Sequence, residues 1–286
     1  RKFFIKKKIK SLVDSFLYPK FGAGHFYKIL KRDLEKRSVN IDLDSSLKKI
    51  NIKNNKVDSI EILKNGKNEI YKGEYYFLSN PFTEIFKLLN PIPPKHILEA
   101  CKKLKYRNHI SVQLIVKGKI FKDNWIYVHD PNVKMARVSN YKNFSKYMSP
   151  NDNTNPLTVE YFCFEKDDVW KMDENELITL AEKELRQTKL ISDKNNVISG
   201  FVIRSLNAYP VIKKGYQQEV NKIKDYLAQF KNLFPIGRSG MFKYNNQDHA
   251  IATGLYAARN LASKEKKIDI WKINSEGIYQ EGEVEN

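Results

Sequence analysis

Apolar residues recur along the chain at two spacings, which predict interleaved helices and strands. In "MDENELITLAEKELRQ" and "YQQEVNKIKDYLAQF" they lie three and four positions apart, as one face of an amphipathic helix requires. In "HISVQLIVKG" and "TVEYFCFEK" they alternate or run on over the length of a strand. Because the two patterns are mixed and no internal repeat separates them, the fold class expected is α/β, in the sense of a mixed α+β protein.

Shorter signals divide the remaining residues. The spacing predicts helices at 25–36, 82–89 and 96–104, and strands at 39–43 and in "YYFLSNP", which runs into Pro81. The dipeptide Asn65-Gly66 predicts a hairpin turn. From Phe4 to Leu17 the apolar residues have helical spacing with lysines opposite. Such a helix either packs on its own protein, which is favoured here, or makes peripheral contact with a membrane.

The composition is that of a folded, lysine-rich protein. The 286 residues are 41% hydrophobic, enough for one large domain or two modest ones. The formal net charge of +18 would suit nucleic acid, but the lysines are spread along the whole chain instead of forming a patch, so no nucleic-acid partner is expected. No apolar run reaches the ~18–20 residues of a membrane span. With no signal-peptide pattern and only Cys101 and Cys163, a cytoplasmic location is expected.

Several motifs with known chemistry are missing from the sequence. The five histidines and two cysteines lack the spacing of a zinc site, so no metal is expected. There is no P-loop and no G-x-S-x-G elbow. The dinucleotide fingerprint G-x-G-x-x-G is absent too, because the nearest glycine pairs, Gly22/Gly24 and Gly237/Gly240, have no third glycine.

One segment near the C-terminus has the features of an anion-binding turn. In "NLFPIGRSGMFKYNNQDHAIATGLYAARN" a short apolar strand ends at Gly237, and Gly240 allows a close backbone approach. A helix is expected from about 247 to 262, with Asp248 at its start or capping it. Its small-residue side would contain Ala250, Gly254, Ala257 or Ala258, and Leu261. Free N–H groups at a helix start bind negative or electron-rich oxygen. The alternative is a plain strand–loop–helix connection.

This segment resembles the C-terminal flavin-binding motif of FAD-dependent oxidoreductases of the amine-oxidase and protoporphyrinogen-oxidase type. UDP-galactopyranose mutases, which share that fold, carry a similar Gly-Arg, Gly, Tyr, Asp series. Other segments resemble the same family in the same order along the chain: "YPKFGAGHFYKILKRDLEK", "VNIDLDSSLKKI", "FLSNPF", "FKDNWIYVHDPNVKMARVSNYKNFSKYM", "VEYFCFEKDDVWKM" and "NAYPVIKKGY".

The resemblance implies an FAD cofactor and a set of residues that bind it. Gly237 and Arg238 would lie beside the pyrophosphate and ribityl chain, where an arginine can neutralise phosphate charge. Backbone N–H groups at the helix start would face the pyrimidine end of the flavin ring. For Arg238 the alternative is a surface salt bridge. The cofactor-binding residues implied are Leu47, at the backbone contact to adenine, Pro81, Gly237, Arg238, Asp248, His249 and Ala250.

The resemblance also implies residues that bind a substrate. Tyr244 matches the tyrosine that contacts the substrate phosphate in the mutases, whereas Asn246 stands where the mutases have Asp. Tyr209 would form a wall of the flavin pocket. The segment "NWIYVHD" is predicted to be a strand, and its alternation puts Trp125, Tyr127 and His129 on one face. Trp125 is expected in the core, and His129 is more often a structural histidine than a base. No residue is identified as catalytic.

The family plan divides the chain into two domains and a tail. Residues 30–81 and 218–265 would form a partial, Rossmann-like FAD-binding domain, and 1–29 and 82–217 a substrate domain of mixed sheet and helices. Residues 266–286 would be a C-terminal tail. Because the family carries its G-x-G-x-x-G unit at the N-terminus, this chain is expected to be truncated there.

Three functions are compatible with these features. The first is an FAD-dependent oxidoreductase that passes hydride through flavin N5. The second is a redox-neutral, flavin-dependent mutase acting on a nucleotide sugar. The third is a non-enzymatic basic protein that binds nucleic acid or anionic lipid. For the two enzymes the partner would be a small-molecule substrate such as a nucleotide sugar or an isoprenoid-like compound.

Overall fold

The computed structural model describes residues 16–263 and 267–274, and the chain folds as two compact units. Unit 1 consists of Arg1–Leu17, Asp44–Lys105 and Ile212–Asn286, and unit 2 of Tyr18–Leu43 and Tyr106–Val211. The helix predicted between Phe4 and Leu17, with its proposed membrane contact, lies almost wholly outside the described residues, as does most of the predicted tail.

Helices and strands alternate along both units, which confirms the mixed α/β class. The helices are α1 (Ala23–Lys36), α2 (Phe82–Leu88), α3 (Lys95–Lys103), α4 (Tyr141–Phe144), α5 (Asp168–Lys171), α6 (Glu174–Gln187), α7 (Tyr216–Ala228), α8 (Gly237–Gly240) and α9 (Gln247–Ala262). The strands are β1 (Ser45–Lys53), β2 (Lys56–Lys64), β3 (Lys67–Tyr71), β4 (Tyr76–Leu78), β5 (Leu89–Asn90), β6 (Tyr106–Lys117), β7 (Trp125–Tyr127), β8 (Arg137–Asn140), β9 (Thr154–Cys163), β10 (Asn196–Pro210) and β11 (Leu233–Pro235).

Unit 1 contains two sheets. The larger has the order β3-β2-β1-β5, with β1, β2 and β3 antiparallel and β5 parallel to β1. Asn65 and Gly66, both with positive φ (49° and 76°), make the predicted hairpin turn between β2 and β3. The smaller sheet pairs β4 and β11 in parallel. The buried side chain of Asn232 joins the two sheets, because it hydrogen-bonds the N–H (2.8 Å) and the carbonyl (3.0 Å) of Val57 in β2.

Unit 2 is built on one antiparallel sheet of order β10-β6-β9-β8-β7. Along β6 the side chains alternate between fully buried and half-buried, so one face forms the core and the other is polar. Ile110, Val112 and Leu114 pack on the core face, together with Leu177 and Leu185 of α6. The helix starts with a capping box between Asp173 and Glu176.

A buried carboxylate fastens α6 to the sheet of unit 2. One oxygen of Glu184 accepts the backbone N–H of Lys134 at 2.7 Å. The other accepts the N–H of Met135 (3.0 Å) and the hydroxyl of Tyr161 (3.0 Å). Burial and the neighbouring Glu184 charge raise the pKa of Tyr161, which keeps the hydroxyl protonated as a donor.

Most predicted elements are confirmed, but the strand predicted at 39–43 and the core position predicted for Trp125 were wrong. Residues 39–43 do not form a strand: Val39 and Leu43 are exposed instead of packed in a sheet. The segment is also bounded by Ser38 and Asp44, whose positive φ values (61° and 53°) turn the backbone out of the extended region. The strand in "NWIYVHD" ends at Tyr127. Trp125 is not in the core: 37% of it is exposed, and its ring stacks on Phe144 at 5.8 Å.

The predicted domains stay a prediction, and the two compact units divide the chain at other residues. Residues 82–105 belong to unit 1, whereas the family plan placed them with the substrate domain. The assignment of FAD and substrate binding to particular segments stays a prediction. Within the residues described, no helix combines the length and apolar character that a bilayer span demands.

Candidate functional site

The predicted anion-binding turn lies at the carboxyl end of a parallel strand pair in unit 1. Leu233 of β11 is paired with Tyr76 of β4, and Pro235 with Leu78, so both strands end at the same edge. The chain then forms the short α8, a loop and α9. In α/β folds, ligands bind outside the carboxyl ends of parallel strands. The observed order of strand, bend and helix therefore places the sequence motif at an edge suited to a ligand.

Two positions in the bend require glycine. Gly237 has φ +73°, in the left-handed region that side chains disfavour, and its N–H donates to the Thr253 hydroxyl at 2.8 Å. A Cβ on Gly240 would lie 2.5 Å from the carbonyl oxygen of Leu78 and 3.2 Å from the Cα of Ser79. The backbone of the bend is thus held directly against the end of β4.

Arg238 is fixed by the loop that follows it. Its Nε donates to the carbonyl of Asn245 at 2.6 Å, and its carbonyl accepts the N–H of Lys243 at 3.0 Å. The guanidinium carbon lies 5.1 Å from the ring centroid of Tyr244, which is 52% exposed. The structure therefore brings two of the predicted residues together, Arg238 for the cofactor and Tyr244 for the substrate.

The helix predicted from 247 to 262 is confirmed, but Asn246 caps it. The side chain of Asn246 and that of His249 form a capping box, in which His249 Nδ1 accepts the Asn246 N–H at 3.4 Å. Asp248 lies in the first turn with an exposed carboxylate, 3.3 Å from His249 Nδ1. The N–H of Ala250 already donates to the Asn246 carbonyl at 3.0 Å. In this first turn, the N–H groups of Gln247 and Asp248 have no acceptor inside the helix.

The buried side of α9 is displaced by one position along the helix from the small-residue side predicted, since Thr253 is buried and Gly254 is only half-buried. Thr253 on that side anchors the bend: its hydroxyl donates to the Ala250 carbonyl at 2.6 Å while accepting from Gly237. No spacing rule signals this role, because a threonine inside a helix usually packs or faces solvent. The buried residues of α9 are His249, Thr253 and Ala257.

Asn245 contributes a buried donor that lacks an acceptor. It is 1% exposed, and among the described residues nothing accepts a hydrogen bond from its Nδ2. Two of its other polar atoms are engaged: the side-chain oxygen accepts from Asn274 at 3.4 Å, and the carbonyl accepts from Arg238 at 2.6 Å. An unpaired buried amide is costly, so a ligand oxygen at this position would remove a real penalty. The sequence did not single out Asn245.

The other cofactor residues predicted in unit 1 lie on β1 and at the start of α2. Leu47 is half-buried and paired with Ile62, next to a bulge in the β1–β2 ladder. Pro81 precedes α2, and its carbonyl accepts the N–H of Glu84 at 2.8 Å. Their contact with a cofactor stays a prediction.

Two predicted substrate residues belong to unit 2. Tyr209 lies near the end of β10, with its ring edge-on to Phe162 at 5.1 Å. His129 is exposed beyond the end of β7. Neither observation assigns a ligand to them, so both roles remain predictions.

A charged cluster on the polar face of unit 2 was not predicted. Arg137 Nη2 donates to Glu160 Oε2 at 2.7 Å and Arg137 Nε to Oε1 at 3.1 Å. His109 Nε2 lies 3.1 Å from Glu160 Oε2, and Ser111 Oγ lies 3.3 Å from His109 Nδ1. Burial by itself would raise the pKa of Glu160, but its hydrogen bonds with His109 and Arg137 outweigh burial and hold that pKa below its usual value. The residues come from β6, β8 and β9, so no local spacing could reveal them.

This cluster predicts a loss of stability in acid. Because the folded-state pKa of Glu160 is lowered, its contribution is complete above the unfolded value of ~4.3 and is lost as pH falls through the folded value. Glu160→Gln should therefore destabilise the protein at pH 7, with a difference from the unaltered chain that shrinks from pH 5 to pH 3. Urea midpoints measured at each pH check this. A difference that stays constant over that range would contradict it.

A separate cavity in unit 2 has a volume of about 510 Å³ and contains none of the predicted site residues. It is lined by Tyr161, Cys163 and Asp167, among others. Burial raises the pKa of Cys163 to about 11, so the thiol is protonated and unreactive at neutral pH. In the described ranges, no three His, Cys, Asp or Glu side chains are grouped to hold a metal ion.

Comparison with known proteins identifies the fold. The sequence matches no protein-family model and no curated protein. The structure is similar to that of reduced UDP-galactopyranose mutase, with a TM-score of 0.76 and 18% identity over 91% of this chain and 55% of that one. It is also similar to a protein from Exiguobacterium sp. 255-15 named as a protoporphyrinogen oxidase, with a TM-score of 0.61 and 15% identity over 79% of this chain and 48% of that one. A third similar structure is an oxidoreductase from Methanosarcina mazei, with a TM-score of 0.55 and 12% identity over 78% of this chain and 50% of that one. The chain thus spans about half the length of these structures and has their fold.

Proposed function

We propose that this chain supplies part of the FAD site of a flavin-dependent oxidoreductase. The observation that carries the proposal is the bend itself, in which Gly237 and Gly240 hold the backbone at the shared carboxyl edge of β4 and β11. Solved structures with this fold include proteins named as oxidoreductases, which supports an enzyme. Since the chain spans about half of them, the activity of the whole protein is part of the proposal.

The residues around the bend suit the oxygen-rich parts of FAD. Arg238 carries positive charge for a pyrophosphate. Asn245 Nδ2 is a buried donor that needs an acceptor, and the Gln247 and Asp248 N–H groups face out of the start of α9. The positive end of the helix favours an anion or a carbonyl oxygen there. Asp248 adds a negative charge in the same turn, so we assign binding to its N–H and not to its carboxylate.

FAD, when bound, accepts or donates a hydride at its N5 atom. The chain's own residues would bind and orient the cofactor. Gly240 allows the bend to pack against Leu78, and Thr253 fixes the Gly237 N–H. The backbone of the bend is therefore held in place before a ligand binds. Such fixed dipoles stabilise charge without reorganisation.

The second candidate is a redox-neutral mutase acting on a nucleotide sugar. The similarity to reduced UDP-galactopyranose mutase, at a TM-score of 0.76, favours it. Tyr244 is exposed beside the Arg238 guanidinium, which supports a contact between Tyr244 and a phosphate-bearing ligand. Asn246 weighs against a direct transfer of the mutase chemistry, because an uncharged amide stands here where the mutases have Asp.

Replacing Arg238 with Met should weaken FAD binding about tenfold or more, as loss of a charge-assisted hydrogen bond implies. The measurement is an FAD titration followed by flavin fluorescence and by the amide NMR shifts of the bend, which report even weak binding. Arg259→Met is the matched control, since Arg259 is exposed in the last turn of α9. Thermal unfolding of both variants separates lost affinity from lost structure. Unchanged FAD affinity in Arg238→Met would count against the site.

Anaerobic assays of FAD-loaded protein separate the two reactions. Bleaching of the flavin by an added amine, polyprenoid or other reduced substrate, without another reductant, supports the oxidoreductase. Turnover of a sugar nucleotide only after prior reduction with dithionite supports the mutase instead. The two results exclude each other for a given substrate.

A further inference from the structure

An apolar cleft in unit 1 has no role in the proposed flavin site. Its volume is about 340 Å³, within the size range of small-molecule sites. It lies between α7, β11, α9 and the short 3₁₀ turn Ile270–Lys272. Its apolar lining includes Leu227, Phe230, Leu233, Phe234, Ala257 and Trp271.

The wall that contains Trp271 is held in place by side chains, so the cleft is pre-formed. The Asn260 side chain donates to the carbonyl of Ile268 at 2.7 Å and accepts its N–H at 2.9 Å. The Asp269 carboxylate accepts the Trp271 N–H at 3.0 Å. The Lys243 ammonium donates to the Trp271 carbonyl at 2.9 Å. A wall fixed in this way does not have to be ordered when a ligand binds, which favours affinity.

The charge at the cleft is positive. Lys224 and Lys231 both line it, and within the described part of the chain neither forms an ion pair. The Lys224 ammonium lies 5.1 Å from the ring centroid of Trp271, at the boundary between the charged and the apolar surface. The acidic residue among the lining residues, Asp269, is occupied as the cap of the Trp271 N–H.

We propose that this cleft binds a single-chain amphiphilic anion. The hydrocarbon chain would pack against Leu227, Leu233 and Trp271, because burying it removes apolar surface of both partners from water. The carboxylate or phosphate head would lie at Lys224 and Lys231. This binding does not depend on the flavin proposal, since the residues of the cleft take no part in the bend.

Calorimetric titration of the chain with dodecyl phosphate, kept below its micelle concentration, tests the proposal. We expect saturable binding of one molecule per chain. Decyl phosphate should bind about tenfold more weakly, as the loss of two buried methylene groups implies. Dodecyltrimethylammonium, with the same chain and a cationic head, should bind at least tenfold more weakly than dodecyl phosphate.

Two matched pairs of variants locate the site. Lys224→Glu with Lys231→Glu should weaken dodecyl phosphate binding at least tenfold, whereas Lys213→Glu with Lys214→Glu, the same charge change on exposed residues away from the cleft, should not. Ala228→Phe should obstruct the cleft from an exposed lining position. Its control is Ala258→Phe on the exposed side of α9. Circular dichroism verifies that each variant is folded.

Four outcomes would overturn the proposal. Equal affinity for the anionic and the cationic amphiphile would remove the role of the lysines. Affinity that is independent of chain length, or unchanged in folded Ala228→Phe, would remove the role of the cleft. Binding to phosphatidylglycerol vesicles without any binding of monomeric dodecyl phosphate would mean adsorption of a basic surface to lipid head groups.

Discussion

Replacing Gly240 with Ala should destabilise unit 1 by at least about 2 kcal/mol, near the upper range for overpacked sites. The added Cβ would lie 2.5 Å from the Leu78 carbonyl oxygen and 3.2 Å from the Ser79 Cα. Both atoms are backbone, so neither can rotate away as the end of a side chain would. The bend must therefore separate from β4. Urea unfolding followed by tryptophan fluorescence gives the change in free energy of unfolding.

Gly254→Ala is the matched control for this substitution. Gly254 lies in the interior of α9, and a Cβ there would meet Ile236 Cδ1 at 3.7 Å, an ordinary contact. Because alanine is a better helix former, this variant should be more stable by ~0.5–1 kcal/mol. If Gly240→Ala were as stable as the unaltered chain, the close approach of the bend to β4 would be refuted.

The second large effect is expected from Glu184→Gln, at about 3 kcal/mol of lost stability. The carboxylate accepts three hydrogen bonds in the core of unit 2, from Lys134, Met135 and Tyr161. Glutamine keeps the volume but turns an NH₂ group toward at least one of these donors, which leaves buried N–H or O–H groups without an acceptor. Chemical denaturation at pH 7 measures the loss.

Glu182→Gln provides the comparison on the same helix. Glu182 pairs with Arg186 at 2.6 Å, and about a third of its side chain is exposed. Partly exposed pairs of this kind contribute ~1 kcal/mol or less. If the two variants lost similar free energies of unfolding, the burial of Glu184 would not explain its contribution to stability.

The strongly periodic segments could be predicted from the sequence because their signals are local. The helices that become α6 and α7 and the strand that becomes β6 follow from the spacing of apolar residues alone. The Asn65-Gly66 turn follows from the tolerance of these two residues for positive φ. The failure at 39–43 is also local, since an apolar pattern cannot show that the residues flanking it have left the extended region.

The candidate site could be predicted only in part from the sequence, because its contacts join residues that are distant along the chain. The sequence marked Gly237 and Gly240 by the conformational freedom of glycine, and Arg238 through the resemblance to the flavin-binding motif. It did not mark Thr253, which fixes the Gly237 N–H from sixteen residues away, or Asn245, whose orphaned amide is visible only once burial is known. Of the two roles left open for Asp248, the structure has the position in the first turn, and Asn246 is the cap, because cap geometry depends on where the loop enters the helix.

By itself, the sequence determined the α/β class, most helices and strands, and the position of the bend, because propensity, hydrophobic period and glycine freedom act over a few residues. The tertiary structure decided the cluster of Glu160, Arg137 and His109, the three hydrogen bonds that the Glu184 carboxylate accepts, and the apolar cleft beside Trp271. Each of these brings together residues separated by tens of positions along the chain. Sheet register and helix packing alone set such distances, and no local pattern encodes them.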